Sequence, residues 1–575
     1  MSRRPAGSSQ TSDRKTGPAV VAKPDPKPVL LATERDAQQV GAILSAYHLH
    51  DIDQADRNLQ SMAGEPHHRR QLADILPVLL DSIARTADPD QALTHWDRLL
   101  EGVTRSSFFA YLQSSPRMLD LLCTIFGNSD ALAFTVIRDP MLVYWLAEEG
   151  VLTKAPTRKG MVEALHKSVG HLTVKEMKLE ALRRLRRREM LRIGVRDLLK
   201  LASVPETTAA LSDLASVLIH AAYEIIDADL RQQYGVPMHK TKQGRWVETG
   251  FAVMGMGKLG GHELNYSSDV DLIYVYASHE GETRAPKGKS AVQPGGLGIS
   301  GEEYFEILSR ELTKALVEQT REGYVFRVDL RLRAEGSVGQ LARSLDDYAK
   351  YYRTRGVAWE RLALLKAWPV AGSMDVGQAF LKMVKPFIFG PPKEKMDLKT
   401  ALAIVQDVRG VKEMIDAKMA DRGHERRNVK LGTGGIREIE FFVQTVQVIA
   451  GKKVAGLLDR STLGALDRFV RYKLISKQER DGLTAAYLFL RDVEHKLQMV
   501  QDFQTHALPD TAEELERCAI RGGYDTENRT AGVAAFRADH ECHTGIVNRL
   551  FRSFFDDPAA SPILKSTLRL LKIAK

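Results

Sequence analysis

Cysteine is scarce in this 575-residue chain: Cys123, Cys518 and Cys542 are the only three. None stands at the spacing of a redox motif or a zinc site, so no thiolate metal centre or disulfide framework is built from them. Few and scattered cysteines suit a reducing cytoplasm. Long apolar runs are missing as well. No stretch approaches 18 consecutive apolar residues, which argues against a membrane span. The first twenty residues, MSRRPAGSSQTSDRKTGPAV, lack the apolar core of a secretory signal. Their Ser, Pro, Gly and basic content is that of a disordered leader. No internal repeat is visible.

What remains is ordinary globular composition, 44% hydrophobic and 27% charged. The length exceeds what one hydrophobic core fills, so about three domains are expected. The formal net charge is +9, and part of it is local: Arg183, Arg184, Arg186, Arg187 and Arg188 crowd the run RRLRRRE. Read as a nucleic-acid patch, this run would need interleaved aromatics to stack bases, and it has none. A solvated helix face is the preferred reading, and no nucleic-acid or membrane partner is expected.

Residues 1–30 read as an arm. From 31 to 235 apolar residues recur at three- and four-residue steps, as in SSFFAYLQSSPRMLDLLCTIFG, which predicts a helical domain. The texture changes in 236–342. FAVMG, DVDLIYVY and YVFRVDLRLR read as strands, and EYFEILSRELTKALVE between the last two reads as a helix striped by Phe305, Leu308, Leu312 and Leu316. A glycine- and proline-rich loop spans about 279–301. From 343 to 575 the pattern is helical to the end. The fold class expected is α+β: a mostly helical protein with a small α/β domain between helical domains.

Chemistry concentrates in GMGKLGGHELNYSSDVDLIYVY. On a strand, residues two apart share a face, so Asp269 and Asp271 project side by side. Two adjacent carboxylates repel unless a cation neutralises them. Oxygen ligands of this kind suit Mg²⁺ or Mn²⁺, which also bridge substrate phosphates. Asp329 in YVFRVDLRLR is the third carboxylate candidate, with Arg331 and Arg333 at steps of two to grip phosphate. Upstream, Gly255, Gly257, Gly260 and Gly261 surround Lys258, and glycines let backbone N–H groups approach a phosphate. Ser267 and Ser268 precede the carboxylate pair as donors or turn formers.

Residues 255–260 also satisfy the G-x-G-x-x-G dinucleotide fingerprint, which demands a helix and then an acid about twenty residues on. Only eight residues separate Gly260 from Asp269, so no crossover helix fits. A phosphate-binding loop fails too, because Leu259 follows Gly257-Lys258 where Ser or Thr would meet magnesium. In LGTGGIREIE, Gly434 and Gly435 precede a helix with Ile436, Ile439, Val443 and Val446 on its buried stripe. Its start offers an anion contact, or packs against the catalytic domain with Arg437 and Glu438 in structural ion pairs.

With these residues in place, the pattern resembles the polymerase-β-type nucleotidyltransferase superfamily. More narrowly, it is similar to the glutamine synthetase adenylyltransferase/adenylyl-removing enzyme family. The similarity is carried in order by REMLRIGVRDLL, GMGKLGGHELNYSSDVDLIYVY, VDLRLRAEGSVGQL, WERLALLKA and KLGTGGIREIEF, and runs with gaps from about residue 100 to 510. NYSSDVDL and GGIREIEF are worded like the N-terminal, adenylyl-removing half of that family. Ala334 and Trp368 depart from the Pro and Arg that the family commonly carries.

The resemblance implies a polymerase-β-like domain in which Asp269, Asp271 and Asp329 hold two Mg²⁺ or Mn²⁺ ions and are catalytic. Gly257, Lys258, Gly260, Gly261, Ser267, Ser268, Arg331 and Arg333 would contact nucleotide and phosphate. The implied reaction is phosphorolytic removal of AMP from a glutamine synthetase tyrosine, releasing ADP and regulating nitrogen assimilation. Forward adenylyl transfer from ATP and a non-catalytic regulatory role stay open, as does a PII signal protein as a partner.

Overall fold

The computed structural model of the protein describes residues 23–34, 36–284, 298–391, 395–420 and 427–573. The arm expected over 1–30 lies mostly outside them; its last residues form a short helix, Pro28–Leu31, with Val29 and Leu30 buried. Most of the 279–301 loop is likewise outside the described residues. Helices make up 64% of the described residues, with small sheets between them, so the α+β class holds.

Helices from Pro28–Leu31 to Lys175–Leu198 enclose a first core around Leu76, Leu80, Trp96, Leu122 and Phe126. Val204–Tyr234 then crosses to the sheet. It opens on a capping box, with Ser203 and Glu206 each accepting from the other's backbone N–H. By length and composition this helix could cross a membrane, yet it is mostly buried and carries core residues such as Leu214 and Leu218. It is the central core helix of the molecule.

Eight strands follow: β1 Val236–Lys240, β2 Trp246–Glu248, β3 Phe251–Gly255, β4 Val270–Tyr276, β5 Glu282–Arg284, β6 Val328–Asp329, β7 Ala342–Ser344 and β8 Trp368–Gly372. β2, β1 and β5 make a small antiparallel sheet. The main sheet runs β6-β4-β3-β8, with β7 also on the β4 edge. β3 and β4 are antiparallel, with Val253 opposite Tyr274, while β6 and β7 lie parallel to β4.

Both faces of this sheet are covered, which is why FAVMG and LIYVY read as near-continuous apolar runs. Phe251, Val253, Leu272 and Tyr274 pack against Val204–Tyr234 and the Gly301–Val317 helix. Ala252, Met254, Ile273 and Val275 belong to the large core shared with the C-terminal helices. The expected helix between the last two strands is Gly301–Val317, with Phe305, Leu308, Leu312 and Leu316 all buried.

Three expectations change. The strand expected over YVFRVDLRLR is only the two residues of β6; the chain then turns, with Arg333 N–H donating to the Leu330 carbonyl at 3.2 Å. The region after 343 is not wholly helical, because β8 adds to the sheet beside β3. The arginine run is not a solvated face. Arg183 is buried against Glu180 and Glu318, Arg187 pairs with Glu322, and Arg186 lies 3.7 Å from Asp502.

Candidate active site

β3 ends at Gly255 and the chain makes one helical turn, Gly257–Gly260, before crossing to β4. Met256 N–H donates to the Asp271 carbonyl at 2.8 Å, which ties the turn to the start of β4. Gly257 has φ +51°, and a Cβ there would stand 2.5 Å from Asp271 Oδ2. This glycine is required twice over, by its backbone and by the carboxylate beside it. Gly260 is required for another reason: a Cβ would meet the Lys366 carbonyl at 2.0 Å. At Gly261 a Cβ would stand 3.2 Å from the Arg460 carbonyl and the Lys366 side chain, so both glycines lie against close packing.

Side chains along β4 alternate between faces, so Asp269 and Asp271 share the side of Ile273 and Val275, toward the C-terminal helices. Asp329 on β6 is the register partner of Asp271 across the parallel pair. The three carboxylates line one cleft of about 600 Å³, together with Gly257, Lys258, Ser268 and Arg331. Lys366, Lys430, Arg437, Glu440 and Gln444 line the same space.

Crowding is visible in the titration of Asp271. Burial first, then the Asp329 and Asp269 charges, raise it to about 6, with Lys430 and Arg437 opposing. Burial also disfavours ionised Asp329, but hydrogen bonds from the Arg331 side chain and backbone outweigh it and hold that carboxyl below its ordinary value. Asp269 accepts from Arg327 Nε at 2.9 Å. Three converging carboxylates with one strained toward protonation are a donor set that a hard divalent cation would relieve. As placed, Asp269 and Asp329 are engaged by arginines, and among the described residues no three such groups stand in a metal-holding arrangement.

The other expected site residues divide. Lys258 lines the cleft but is anchored, donating to Glu494 Oε1 at 2.8 Å and Ser268 Oγ at 3.3 Å. Ser267 is buried, and its hydroxyl accepts from Arg327 Nη2 at 2.8 Å. Arg331 stands at the rim, its side chain 77% exposed and paired with Asp329. Arg333 leaves the site: it is buried and donates to the carbonyls of Leu330, Ser337 and Gly339. The expected steps of two fail because β6 ends at Asp329.

Several residues were not singled out from sequence. Arg327 bridges Asp269, Tyr324 and Ser267. Lys366 is buried between Glu263 at 2.9 Å and Glu440 at 3.0 Å. Arg491 and Glu494, on the Lys477–Gln498 helix, are buried and paired at 2.9 Å. The available signal was charge inside otherwise apolar helical runs, as in LFLRDVEHKL, where fully buried charges must find partners. Trp368, noted for its unusual place, lies on β8 with the Arg460 guanidinium 4.1 Å over its ring.

The sequence has relatives among known proteins. Residues 119–383, which contain all three carboxylates, match the family described as glutamate-ammonia ligase adenylyltransferase. Residues 409–555 match the family described as GlnD PII-uridylyltransferase. The bifunctional glutamine synthetase adenylyltransferase/adenylyl-removing enzyme of Nitrosococcus oceani is 36% identical over 443 residues, 77% of this chain and 43% of that protein. The protein of the same description from Mesorhizobium japonicum is 35% identical over 484 residues, covering 80% and 46%. That from Hahella chejuensis is 35% identical over 471 residues, covering 82% and 45%. The chain thus spans less than half the length of these relatives. It carries the Asp269–Asp271 pair, an in-register third carboxylate and the five ordered motifs, and it belongs to the glutamine synthetase adenylyltransferase/adenylyl-removing enzyme family.

Proposed function

We propose that this chain is a metal-dependent nucleotidyl-transfer unit that removes AMP from an adenylylated tyrosine of glutamine synthetase by phosphorolysis. The observation that carries this reading is the pairing of Asp271 with Asp329, beside Asp269, over a glycine turn that admits no side chain. The direction rests on the wording of NYSSDVDL and GGIREIEF, which resembles the adenylyl-removing half of the family.

Asp269, Asp271 and Asp329 would hold two Mg²⁺ or Mn²⁺ ions. Such ions supply charge neutralisation on the AMP phosphate and on the departing oxygen. An oxygen of hydrogen phosphate forms a bond to the AMP phosphorus, and the bond from phosphorus to the tyrosine oxygen breaks. The proton of hydrogen phosphate ends on the tyrosine oxygen, and the products are ADP and free tyrosine. A phenol has a pKa of about 10, so the leaving group needs only modest help. The chain's contribution is positioning: Gly257 lets the turn lie on Asp271, and Ser268, held by Lys258, faces the cleft. Glutamine synthetase is the proposed protein substrate, and a PII signal protein is a proposed partner of the C-terminal helices.

The test is incubation with adenylylated glutamine synthetase, Mg²⁺ and phosphate. ADP release by the wild type, lost in Asp269→Asn with unchanged thermal melting, is expected. Pyrophosphate release from ATP and unmodified glutamine synthetase, without ADP release in the first assay, would reverse the assigned direction.

A further inference from the structure

The cleft holds more positive charge than its carboxylates engage. Lys258 is committed to Glu494, Lys366 to Glu263 and Glu440, and Arg331 to Asp329. Two cations have no close partner and act on Asp271 through space. Lys430 has no hydrogen bond or ion pair to its ammonium group among the described residues. Arg437, about a third exposed at 32%, has only a loose ion pair with Glu440 at 3.7 Å, and its Nε makes no hydrogen bond. Glu440 is already shared by Lys366 and by Arg491 at 3.4 Å. A half-buried cation without a close partner suits a ligand of opposite sign.

Both residues are held in place by local structure. Asn428 Oδ1 accepts from the backbone N–H groups of Lys430 at 3.1 Å and Leu431 at 2.8 Å, which fixes the turn. The Arg437 N–H donates to the Lys430 carbonyl at 2.9 Å, joining that turn to the first turn of the Ile436–Ala450 helix. Gly434, at φ +73°, packs so closely that a Cβ would stand 2.2 Å from the Thr544 carbonyl. The backbone N–H groups of Ile436, Arg437 and Glu438 are all taken by carbonyls, so the helix terminus is not the anion site. The two side chains are.

We infer that Lys430 and Arg437 form the seat of the free inorganic phosphate, a second anion subsite in the cleft lined by Asp269, Asp271 and Asp329. This rests on the reaction proposed above, which brings two anions into one cleft: the AMP diester and the phosphate that attacks it. The carboxylates belong to the sheet, while Lys430 stands in the turn before the Ile436–Ala450 helix and Arg437 in its first turn. Both anions would then meet in one cleft, as the proposed transfer requires. It also gives the C-terminal helices a direct part in the chemistry. Lys430 supplies a point charge and Arg437 a planar fork that engages two oxygens.

The experiment titrates inorganic phosphate, and separately AMP, into the full chain, followed by ³¹P NMR. Wild type, Lys430→Gln, Arg437→Gln and Lys430→Arg are compared after their melting temperatures confirm folding. Each neutral variant should weaken phosphate binding about tenfold or more, the effect of one charge-assisted hydrogen bond, and Lys430→Arg should restore much of it. In turnover, the KM for phosphate should rise while the KM for adenylylated glutamine synthetase stays put. Wild-type phosphate affinity in folded Lys430→Gln and Arg437→Gln overturns the inference. So does loss of AMP binding with phosphate binding retained, which would make the pair a nucleotide contact. If phosphate binding falls in the variants but the wild type releases no ADP, the subsite stands and the proposed reaction fails. If ADP is released with an unchanged KM for phosphate, the reaction stands and the subsite fails.

Discussion

Lys258 and Glu494 meet at 2.8 Å across 236 residues of sequence, joining the glycine turn to a helix of the C-terminal region. Glu494 is fully buried and also accepts from Asn265 Nδ2 and from Arg491 Nη1 at 2.9 Å, with His506 Nδ1 2.9 Å away. Burial disfavours its charge, but Lys258, Arg491 and His506 outweigh that and hold the carboxyl well below its ordinary range. Glu494→Leu should therefore strand Lys258, take one of the two carboxylates from Arg491, and cost about 3–5 kcal/mol in a guanidinium unfolding curve. Adding Lys258→Met should recover part of the loss, because the two effects are coupled. A change below about 1 kcal/mol in the single variant would show that the pair is not a structural tie.

Glu440 sets a pH dependence. Burial works against its ionisation, yet Lys366, Arg437 and Arg491 hold it far below the ordinary glutamate value. A carboxyl depressed in the folded state stabilises the protein above the unfolded-state value of about 4.5. As the pH falls below that, the unfolded chain takes up a proton that the folded chain refuses, and stability drops. Asp271 acts oppositely, being raised to about 6, so the net decline should be steepest below about pH 4. Urea midpoints between pH 7 and 3 should fall in wild type and fall less in Glu440→Gln. Parallel curves for the two proteins would contradict this.

Gly257→Ala probes the contact between turn and carboxylate. The residue has φ +51°, and the added methyl would sit 2.5 Å from Asp271 Oδ2. Strain of about 1–2 kcal/mol is expected in stability. The displaced carboxylate should cost on the order of 100-fold in turnover, as small misplacements at a reacting centre do. Serial assays and thermal melts separate the two effects. A variant as active as wild type would mean that Asp271 does not need its observed position.

Asp329→Asn removes the register partner of Asp271 and leaves Arg331 without its carboxylate. Arg331 is largely exposed, so stability should change by less than about 1 kcal/mol. Loss of Asp329 also removes a charge that raises Asp271, so the Asp271 carboxyl should titrate lower. Activity should fall by roughly 10²–10³ or more if Asp329 helps hold the metal ions. Retained activity with weakened Mg²⁺ dependence would point to a two-carboxylate site instead.

Much of the catalytic sheet was legible because buried strands and the glycine turn have local signatures. FAVMG, DVDLIYVY and the Gly301–Val317 helix follow directly from residue type and period. What was not legible depends on contacts distant in sequence. β8 reads like any short apolar run, and only pairing with β3 makes it a strand. Arg331 and Arg333 followed strand periodicity, but periodicity cannot reveal that β6 stops after two residues. The partners of Lys258, Lys366 and Arg491 lie far away in the chain, so their burial could be suspected from helix position but not assigned. Lys430 and Arg437 stood in a motif that sequence reading singled out; only their lack of partners in three dimensions marks them.

The late arrival of β8 bears on how the molecule is made. β3 lies between β4 and β8 in the finished sheet, with Gly255 opposite Trp368. During synthesis, β3 and β4 emerge first and must wait, one edge open, while the ribosome adds the helices and loops up to residue 372. At about 5–20 residues per second that interval lasts several seconds. An apolar strand left open for that long is a pairing site for other nascent chains. Substitutions in β8 are therefore expected to be felt first as lost yield during translation and only afterwards as lost activity.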